Sequence, residues 1–522
     1  MPMIVTSARS SFAPGDRWGP ESQSRLITLK PRKPPEREHG ERASTGIPGL
    51  DEVLHGGLIR RAAYLISGPP GTGKTTLCWH FLTTGSAAGE PVLFITFGEP
   101  EQTLRHNAER SGFDLDGVTF LDLSPAAEHF AKSQSYDLFS AAEVEREPTT
   151  RKIVEVVEAL QPLRVVVDSI TSLRYLASEP LEYRRESLSF VRYLVAEGAV
   201  VVMTSESTHE TPDDDLRYLS DGVIELAPLT RSGSLRVTKF RGSGFESSRH
   251  AMRLGDRGAI VYPRLVPENH HARFVAEQLP SGLPGLDAML HGGIERGTIT
   301  LLSGPSGVGK TTIGVQFMKE AAGRGDRSTI YTFDEDSYTL RQRCQSINIP
   351  VAAMIERGML SVVEIDGLHY GPDEFASMVR ADVEENGTRL VMIDSISGYR
   401  LSVEGDHLIE RLHALGRYLK NVGVTLLLVN ELKDMADSRI SEIGISYLAD
   451  NVIFMRYFER RVGTRAELRR GVGVLKKRLS DFEKSMRDYT LTPYGIQLGE
   501  PIEHLGGILG QGSDRLVDAS IV

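Results

Sequence analysis

Two cysteines, Cys78 and Cys344, are all that the 522 residues contain. No disulfide framework is available from so few, and a reducing compartment suits them. Long apolar runs are also missing. None approaches the roughly 18 residues that cross a bilayer, and the opening stretch, MPMIVTSARSSFAPGDRWGP, has no apolar signal core. A cytoplasmic protein without a membrane association is the expectation. Positive charge is short as well: 60 Lys and Arg against 70 Asp and Glu give a net charge of −10. That balance argues against a protein whose main task is gripping nucleic-acid phosphates, although a local basic path stays open. What remains, 40% hydrophobic and 25% charged, is ordinary globular composition.

At this length two domains are expected, because one core rarely grows past roughly 250–300 residues. The chain repeats itself accordingly. STGIPGLDEVLHGGL (44–58) returns as PSGLPGLDAMLHGGI (280–294), and SGPPGTGKTT (67–76) returns as SGPSGVGKTT (303–312), both 236 residues later. An offset this long means domain duplication and not a short solenoid period. The reading is a first domain over 43–262, a second over 275–500, and tails at 1–42 and 501–522. The first tail, with its KPRKPPEREHGER, is too polar to order itself by burial; a basic docking segment is the alternative.

Each copy runs through the same order of elements. A short apolar strand (AAYLIS; TITLLS) enters a Gly-rich loop and a helix. A strand ending in acid follows (PVLFITFGE; STIYTFDE), then another (RVVVDS; LVMIDS), then a helix and a further strand (AVVVMTSE; VTLLLVNE). Such runs, alternating with helical patterns, predict an α/β fold: a mostly parallel sheet flanked by helices in each copy. Ligands then collect at the carboxyl ends of the strands, where these acids lie.

GPPGTGKT (68–75) and GPSGVGKT (304–311) each fit G-x-x-x-x-G-K-[ST] between a strand and a helix. Backbone N–H groups of such a loop cradle phosphates. Lys74 and Lys310 would reach the β- and γ-phosphates, and Thr75 and Thr311 would ligate Mg²⁺. Two occurrences at matching offsets leave little room for a chance Gly-rich turn. Asp168 and Asp394, each ending an apolar strand, suit the second protein ligand of the metal; a helix N-cap is the competing role. Glu99, and Asp334 with Glu335, end the strand after the P-loop helix. A carboxylate there can polarise a water or hydroxyl for attack on the γ-phosphate, or simply favour the next helix dipole. Gly98 stands in the first copy where Asp334 stands in the second. KFRG (239–242) and KKRL (476–479) place cations at i and i+2 of a strand, so on one face. They could blunt a solvated edge or reach a neighbouring subunit's γ-phosphate.

Together the tandem architecture, the STGIPGLDEVLHGGL lead-in, the paired phosphate loops, the acidic step and the late K-x-R resemble the KaiC and KaiC-like family of circadian-clock ATPases, over about residues 43–500. The resemblance implies tandem RecA-like P-loop NTPase domains. It also implies a double-ring homohexamer with ATP between subunits, slow ATP hydrolysis, and Ser/Thr autophosphorylation in the second ring. KaiB-like or signalling partners go with that reading. By position, Gly71, Thr72, Gly73, Lys74, Thr75 and Thr76 match the first ATP-binding loop. Ser306, Gly307, Val308, Gly309, Lys310, Thr311 and Thr312 match the second. Lys239 and Arg241, with Lys476 and Arg478, match the cations that reach a neighbour's nucleotide. Asp334 and Glu335 match the catalytic acid pair of the kinase ring, which in the first ring has become Gly98–Glu99. ADSRISEIGISYLAD (436–450) resembles the phosphorylated segment: Ser441 falls on the phosphoserine position, and Glu442 puts a permanent acid on the phosphothreonine position. The C-terminal tail does not resemble the segment that recruits the clock activator KaiA.

Three functions compete. One is an ATPase and autokinase acting as a signalling or clock-type switch. The second is a RecA- or RadA-type DNA-dependent ATPase, which needs basic loops along a channel. Here STHETPDDDLRY after VVMTSE is acidic and LKDMADSRISE after LLLVNE is mixed, so nucleic acid ranks well below self-association as a partner. The third is a scaffold that binds nucleotide without hydrolysing it.

Overall fold

A computed structural model of the chain describes residues 42–124, 141–176, 180–206, 213–228, 233–403, 407–432, 445–462 and 465–502, all within one compact unit, Gly40–Val522. The first copy builds nine strands: β1 (Ala63–Ser67), β2 (Val92–Thr96), β3 (Thr119–Asp122), β4 (Arg164–Asp168), β5 (Val200–Ser205), β6 (Gly222–Pro228), β7 (Gly233–Phe240), β8 (Arg249–Gly255) and β9 (Gly258–Tyr262). The second builds β10 (Ile299–Gly304), β11 (Ser328–Thr332), β12 (Leu360–Glu364), β13 (Leu390–Asp394), β14 (Thr425–Glu431), β15 (Asn451–Val462), β16 (Arg465–Lys477), β17 (Met486–Thr492) and β18 (Gly495–Pro501). Both sheets have the same spatial order, β3-β2-β4-β5-β1-β6-β7-β8-β9 and β12-β11-β13-β14-β10-β15-β16-β17-β18. The strands up to β6 and β15 pair in parallel, and the last three of each sheet form an antiparallel wing.

The longer helices are α1 (Lys74–Ala87), α2 (Glu101–Arg110), α3 (Ala141–Leu160) and α4 (Pro180–Ala196), then α5 (Lys310–Arg324), α6 (Ser337–Gln345), α7 (Pro372–Asn386) and α8 (Leu408–Asn421). They cover both faces of the sheets, which is why the central strands are apolar throughout. Val165, Val166 and Val167 of β4, and Val391, Met392 and Ile393 of β13, are wholly buried. The two faces separate with period two. Along β2, Val92 and Phe94 face α1, where Trp79 stacks on Phe94 with ring centroids 4.7 Å apart. Leu93 and Ile95 face Val157 of α3 and Leu194 of α4. Helix α8 forms because Leu408, Leu412, Leu415 and Leu419, at spacings of four, three and four, make one buried stripe. Helix α5 ends at Gly325, whose φ of 85° lets its N–H turn back to the last turn of the helix.

Parallel strands align their carboxyl ends. Ser67, Thr96, Asp168 and Ser205 therefore gather at one edge of the first sheet, and Gly304, Thr332, Asp394 and Glu431 at the same edge of the second. The copies touch at α7: Arg253 of β8, in the antiparallel wing, pairs with Glu374 at 2.9 Å, and Glu52, in the lead-in of the first copy, with Arg380 at 2.6 Å. Among the described residues no helix is long and apolar enough to cross a membrane.

Candidate active sites at the two P-loops

Strands β1 and β10 each deliver the chain into a loop whose last glycine starts a helix. Gly73 and Gly309 take φ of 90° and 109°, a conformation a side chain would strain. The freed N–H groups at the starts of α1 and α5 form an anion-binding end. The lysines fold back over the loop. Lys74 Nζ donates to Gly68 O at 2.8 Å and Pro69 O at 3.0 Å, and Lys310 Nζ to Pro305 O at 2.8 Å. Burial lowers the pKa of both ammonium groups, opposed by Glu206 and Asp168 in the first copy and by Glu431 and Asp394 in the second.

The rims differ. In the first loop Thr72 Oγ1 donates to Pro69 O at 2.8 Å, and Leu254 packs against Gly73. In the second, Val308 takes the place of Thr72, is fully buried, and accepts at its carbonyl the hydroxyl of Tyr489, whose pKa burial raises.

Thr75 Oγ1 donates to Asp168 Oδ2 at 2.8 Å and Thr311 Oγ1 to Asp394 Oδ2 at 2.6 Å. The residues expected to share a metal therefore meet at the root of each loop. Hydroxyl plus carboxylate is a hard-oxygen donor set that suits Mg²⁺, which keeps water and substrate phosphates as its other ligands. Among the described residues no group of three or more His, Cys, Asp or Glu side chains is placed to hold a metal ion; this donor set does not need one. Around that pair the copies part again. Thr204 of β5 gives Asp168 a second hydroxyl. The same level of β14 carries Val429, which is 1% exposed, and burial raises the pKa of Asp394.

The acidic step is where the sites differ most. Asp334 Oδ2 accepts Ser395 Oγ–H at 2.7 Å, and Glu335 Oε2 accepts Arg343 Nη2–H at 2.6 Å. The backbone of Glu335 is pinned through Thr332 Oγ1 at 2.7 Å, as that of Glu99 is through Thr96 Oγ1 at 2.7 Å. In the first copy Glu99 is exposed, and its carboxylate has no hydrogen bond or ion pair among the described residues. Ser169, the counterpart of Ser395, turns instead to Thr171 Oγ1 at 3.0 Å and Ser172 Oγ at 3.2 Å.

The K-x-R cations do not join these sites. Lys239 pairs across to Val223, level with Leu65, and Arg241 N bonds Asp221 O beside the start of β1. In the second copy Arg478 N bonds Asp450 O beside Ile299. Arg241 and Arg478 therefore sit at the end of the sheet opposite their own P-loop, about 16 Å along the strand, with Lys239 and Lys476 two residues nearer the loop. Lys239 Nζ donates to Arg217 O at 2.8 Å and Lys476 Nζ to Ala449 O at 2.6 Å, while Arg241 and Arg478 stay 55% and 51% exposed.

Sequence reasoning missed Thr204, Ser395, Arg343 and Tyr489. Only Arg343 left a readable signal: it is a cation where the first copy, 236 residues earlier, has Asn107. Ser441 and Glu442 lie outside the described residues, as do both tails apart from 42 and 501–502, and, of the stretches weighed against a DNA motor (207–218 and 432–442), residues 207–212 and 433–442.

The family model of the KaiC ATPase matches the chain twice, at residues 43–266 and 279–503. Among curated proteins, the circadian clock oscillator protein KaiC of Prochlorococcus marinus is 26% identical over 499 residues, covering 92% of this chain and 96% of that protein. The circadian clock protein KaiC3 of Synechocystis is 27% identical over 485 residues, covering 90% and 94%. KaiC of Synechococcus elongatus is 27% identical over 495 residues, covering 90% and 92%.

Proposed function

The chain belongs to the KaiC ATPase family, and from that premise we propose that it is a cytoplasmic, nucleotide-driven switch with two unequal sites per chain. Both sites hydrolyse ATP slowly, and the second also passes the γ-phosphoryl group to a Ser or Thr of the protein, with Ser441 as the acceptor. The observation that carries this reading is the second-site constellation. Asp334 and Glu335, each with a fixed partner, stand beside the Thr311–Asp394 pair at the mouth of the P-loop. A carboxylate at that step can draw the proton from an attacking water or hydroxyl. The oxygen bonds to the γ-phosphorus, its proton passes to the carboxylate, and the bond from phosphorus to the β–γ bridging oxygen breaks, leaving ADP. Lys310 and the first N–H groups of α5 hold the phosphates in line. Thr311 and Asp394, like Thr75 and Asp168, would hold Mg²⁺, which supplies charge neutralisation to the phosphates when bound.

The far-end position of Arg241 and Arg478, with Lys239 and Lys476 beside them, supports action between subunits. A cation about 16 Å along the strand from its own loop can complete only a neighbour's site. A ring, a homohexamer by the family's example, satisfies that need.

Incubation with γ-labelled ATP and magnesium tests the reading. Released phosphate together with label on the chain, mapped to residues 436–450, is the expected result. Hydrolysis with no label leaves a plain ATPase. Binding without hydrolysis leaves a scaffold and sinks the proposal.

A further inference from the structure

Arg343 is the seventh residue of α6, between buried Leu340 and buried Cys344, which fix that face of the helix against the core. Its guanidinium therefore emerges at the acidic step. Nη2 donates to Glu335 Oε2 at 2.6 Å, Nη1 reaches Thr312 Oγ1 on the first turn of α5 at 3.5 Å, and its charge also acts on Asp394. The same helix position in the first copy is Asn107, between buried Leu104 and buried Ala108. Asparagine carries no charge and is too short to span the gap. The arginine of α2 nearest that position, Arg105, is spent elsewhere: it pairs with Glu101 at 2.7 Å and lies over the Phe120 ring at 4.3 Å. One acid is thus held and its counterpart is not, on the same backbone.

We propose that Arg343 is a positioning residue of the second site, holding the Glu335 carboxylate in one orientation for phosphoryl transfer, and that its absence from the first copy is one source of the inequality between the sites. The proposal rests on the reading of Glu335 as an acid of the second site. The ion pair commits Oε2 and leaves Oε1 for the attacking group. An unheld carboxylate spreads over several rotamers, and a misplacement of about 1 Å in a phosphoryl-transfer site can cost up to a hundredfold in rate. Stability does not explain the pair. Its side chains are 37% and 25% exposed, and ion pairs in such surroundings contribute little. Substitution should therefore leave the fold intact.

The test uses the full chain carrying Lys74→Ala, so that only the second site turns over, and measures phosphate release against ATP concentration. Arg343→Asn, which imports the residue of the first copy, should lower kcat about tenfold or more and leave KM within about threefold. Arg343→Lys, which restores a charge but not the planar fork, should recover part of the loss. In a Lys310→Ala background, Asn107→Arg should raise first-site kcat several-fold. A kcat unchanged within about twofold in Arg343→Asn overturns the proposal, because the positioning term would be absent. A rise in kcat overturns it too, since the arginine would then be a brake. So does a loss confined to KM, which would make it a binding residue. If the Lys74→Ala parent releases no phosphate while Arg343 is intact, the reading of Glu335 fails first and carries this proposal down with it.

Discussion

The two copies agree in the glycines, lysines and Thr–Asp pairs that would grip phosphate and metal, and differ in what surrounds them, most of all at the acidic step. Loop, lysine, Thr–Asp pair and far-end K-x-R recur at equal levels of two sheets with one strand order. Around them Gly98 corresponds to Asp334, Asn107 to Arg343, Thr204 to Val429, and Thr72, bonded to Pro69 O, to Val308, bonded to Tyr489. After duplication the backbone requirements of phosphate binding permit few substitutes. A loop glycine needs φ > 0 and the helix N-terminus must stay open. The acidic step has no such constraint: it lies on a strand end, where one side chain can change without disturbing the fold.

The comparison breaks most completely if each loop is removed in turn. Lys74→Ala and Lys310→Ala should each abolish tight ATP binding at their own loop, by more than about a hundredfold, and leave the other loop intact. Titration calorimetry should show stoichiometry falling from two per chain to one. A stoichiometry of one in the unsubstituted protein would contradict two working sites.

Removing the acids should affect the copies unequally. Asp334→Asn with Glu335→Gln should lower second-site phosphoryl transfer about a hundredfold, while Glu99→Gln should remove only a slow hydrolysis in the first. The gap can also be narrowed from the other side. A Cβ built at Gly98 meets nothing within 4 Å, and its φ is not left-handed. Gly98→Asp should therefore fold normally and raise first-site turnover. Equal turnover in the two single-site proteins before any such change would remove the asymmetry altogether.

On the far-end cations the copies should behave alike. Arg241→Ala and Arg478→Ala should each weaken ATP-dependent assembly about tenfold without changing the fold, because these side chains are more than half exposed and their carboxylate partners keep other bonds, Asp221 to the Ala63 N–H and Asp450 to Lys420 and the Ile299 N–H. Sedimentation with and without ATP measures it. A variant that loses turnover but assembles as before would make these residues purely chemical.

The alternation of apolar runs and helical stripes was enough to read the α/β sheets, and the repeat was enough to read the duplication, because both are written in local sequence. The P-loops and their aspartates were legible for the same reason: their residues are neighbours in sequence or end a run such as RVVVD. Thr204, Ser395 and Tyr489 were not. Each reaches its partner across the sheet, Thr204 from the strand next to Asp168 and Tyr489 from the antiparallel wing to the loop 181 residues earlier. Hydroxyls carry no periodicity that would mark them out. Arg343 lies between these cases, since a residue-by-residue comparison of the two copies isolates it and only the folded helix explains it.

The smallest expected difference concerns acid. His80 of α1 accepts the Ala259 N–H at Nε2, 2.9 Å away, which requires a neutral ring at that atom, and burial lowers its pKa. Its counterpart 236 residues later is Gln316, which has no titratable group. In the unfolded chain His80 takes up a proton near about pH 6.5, while in the fold it does so only at lower pH. Between those two values the unfolded state binds more protons. The stability of the first copy is therefore complete above about 6.5, falls as pH drops from there toward the depressed native value, and levels off below it. His250, buried, accepting the Arg264 N–H at 2.9 Å and also depressed by burial, adds a second term of the same sign. Trp79, 3% exposed and stacked in the core of the first copy, gives a fluorescence signal for that copy alone, since the chain's other tryptophan is Trp18 in the N-terminal tail. Urea unfolding followed at Trp79 near about pH 5 and about pH 7.5 should show a lower midpoint at the acid end. His80→Gln, whose side-chain oxygen can still accept the Ala259 N–H, should flatten that dependence by less than about one proton, with the His250 share remaining. A pH dependence that His80→Gln leaves unchanged, or steepens, would mean that folding does not lower the pKa of this ring.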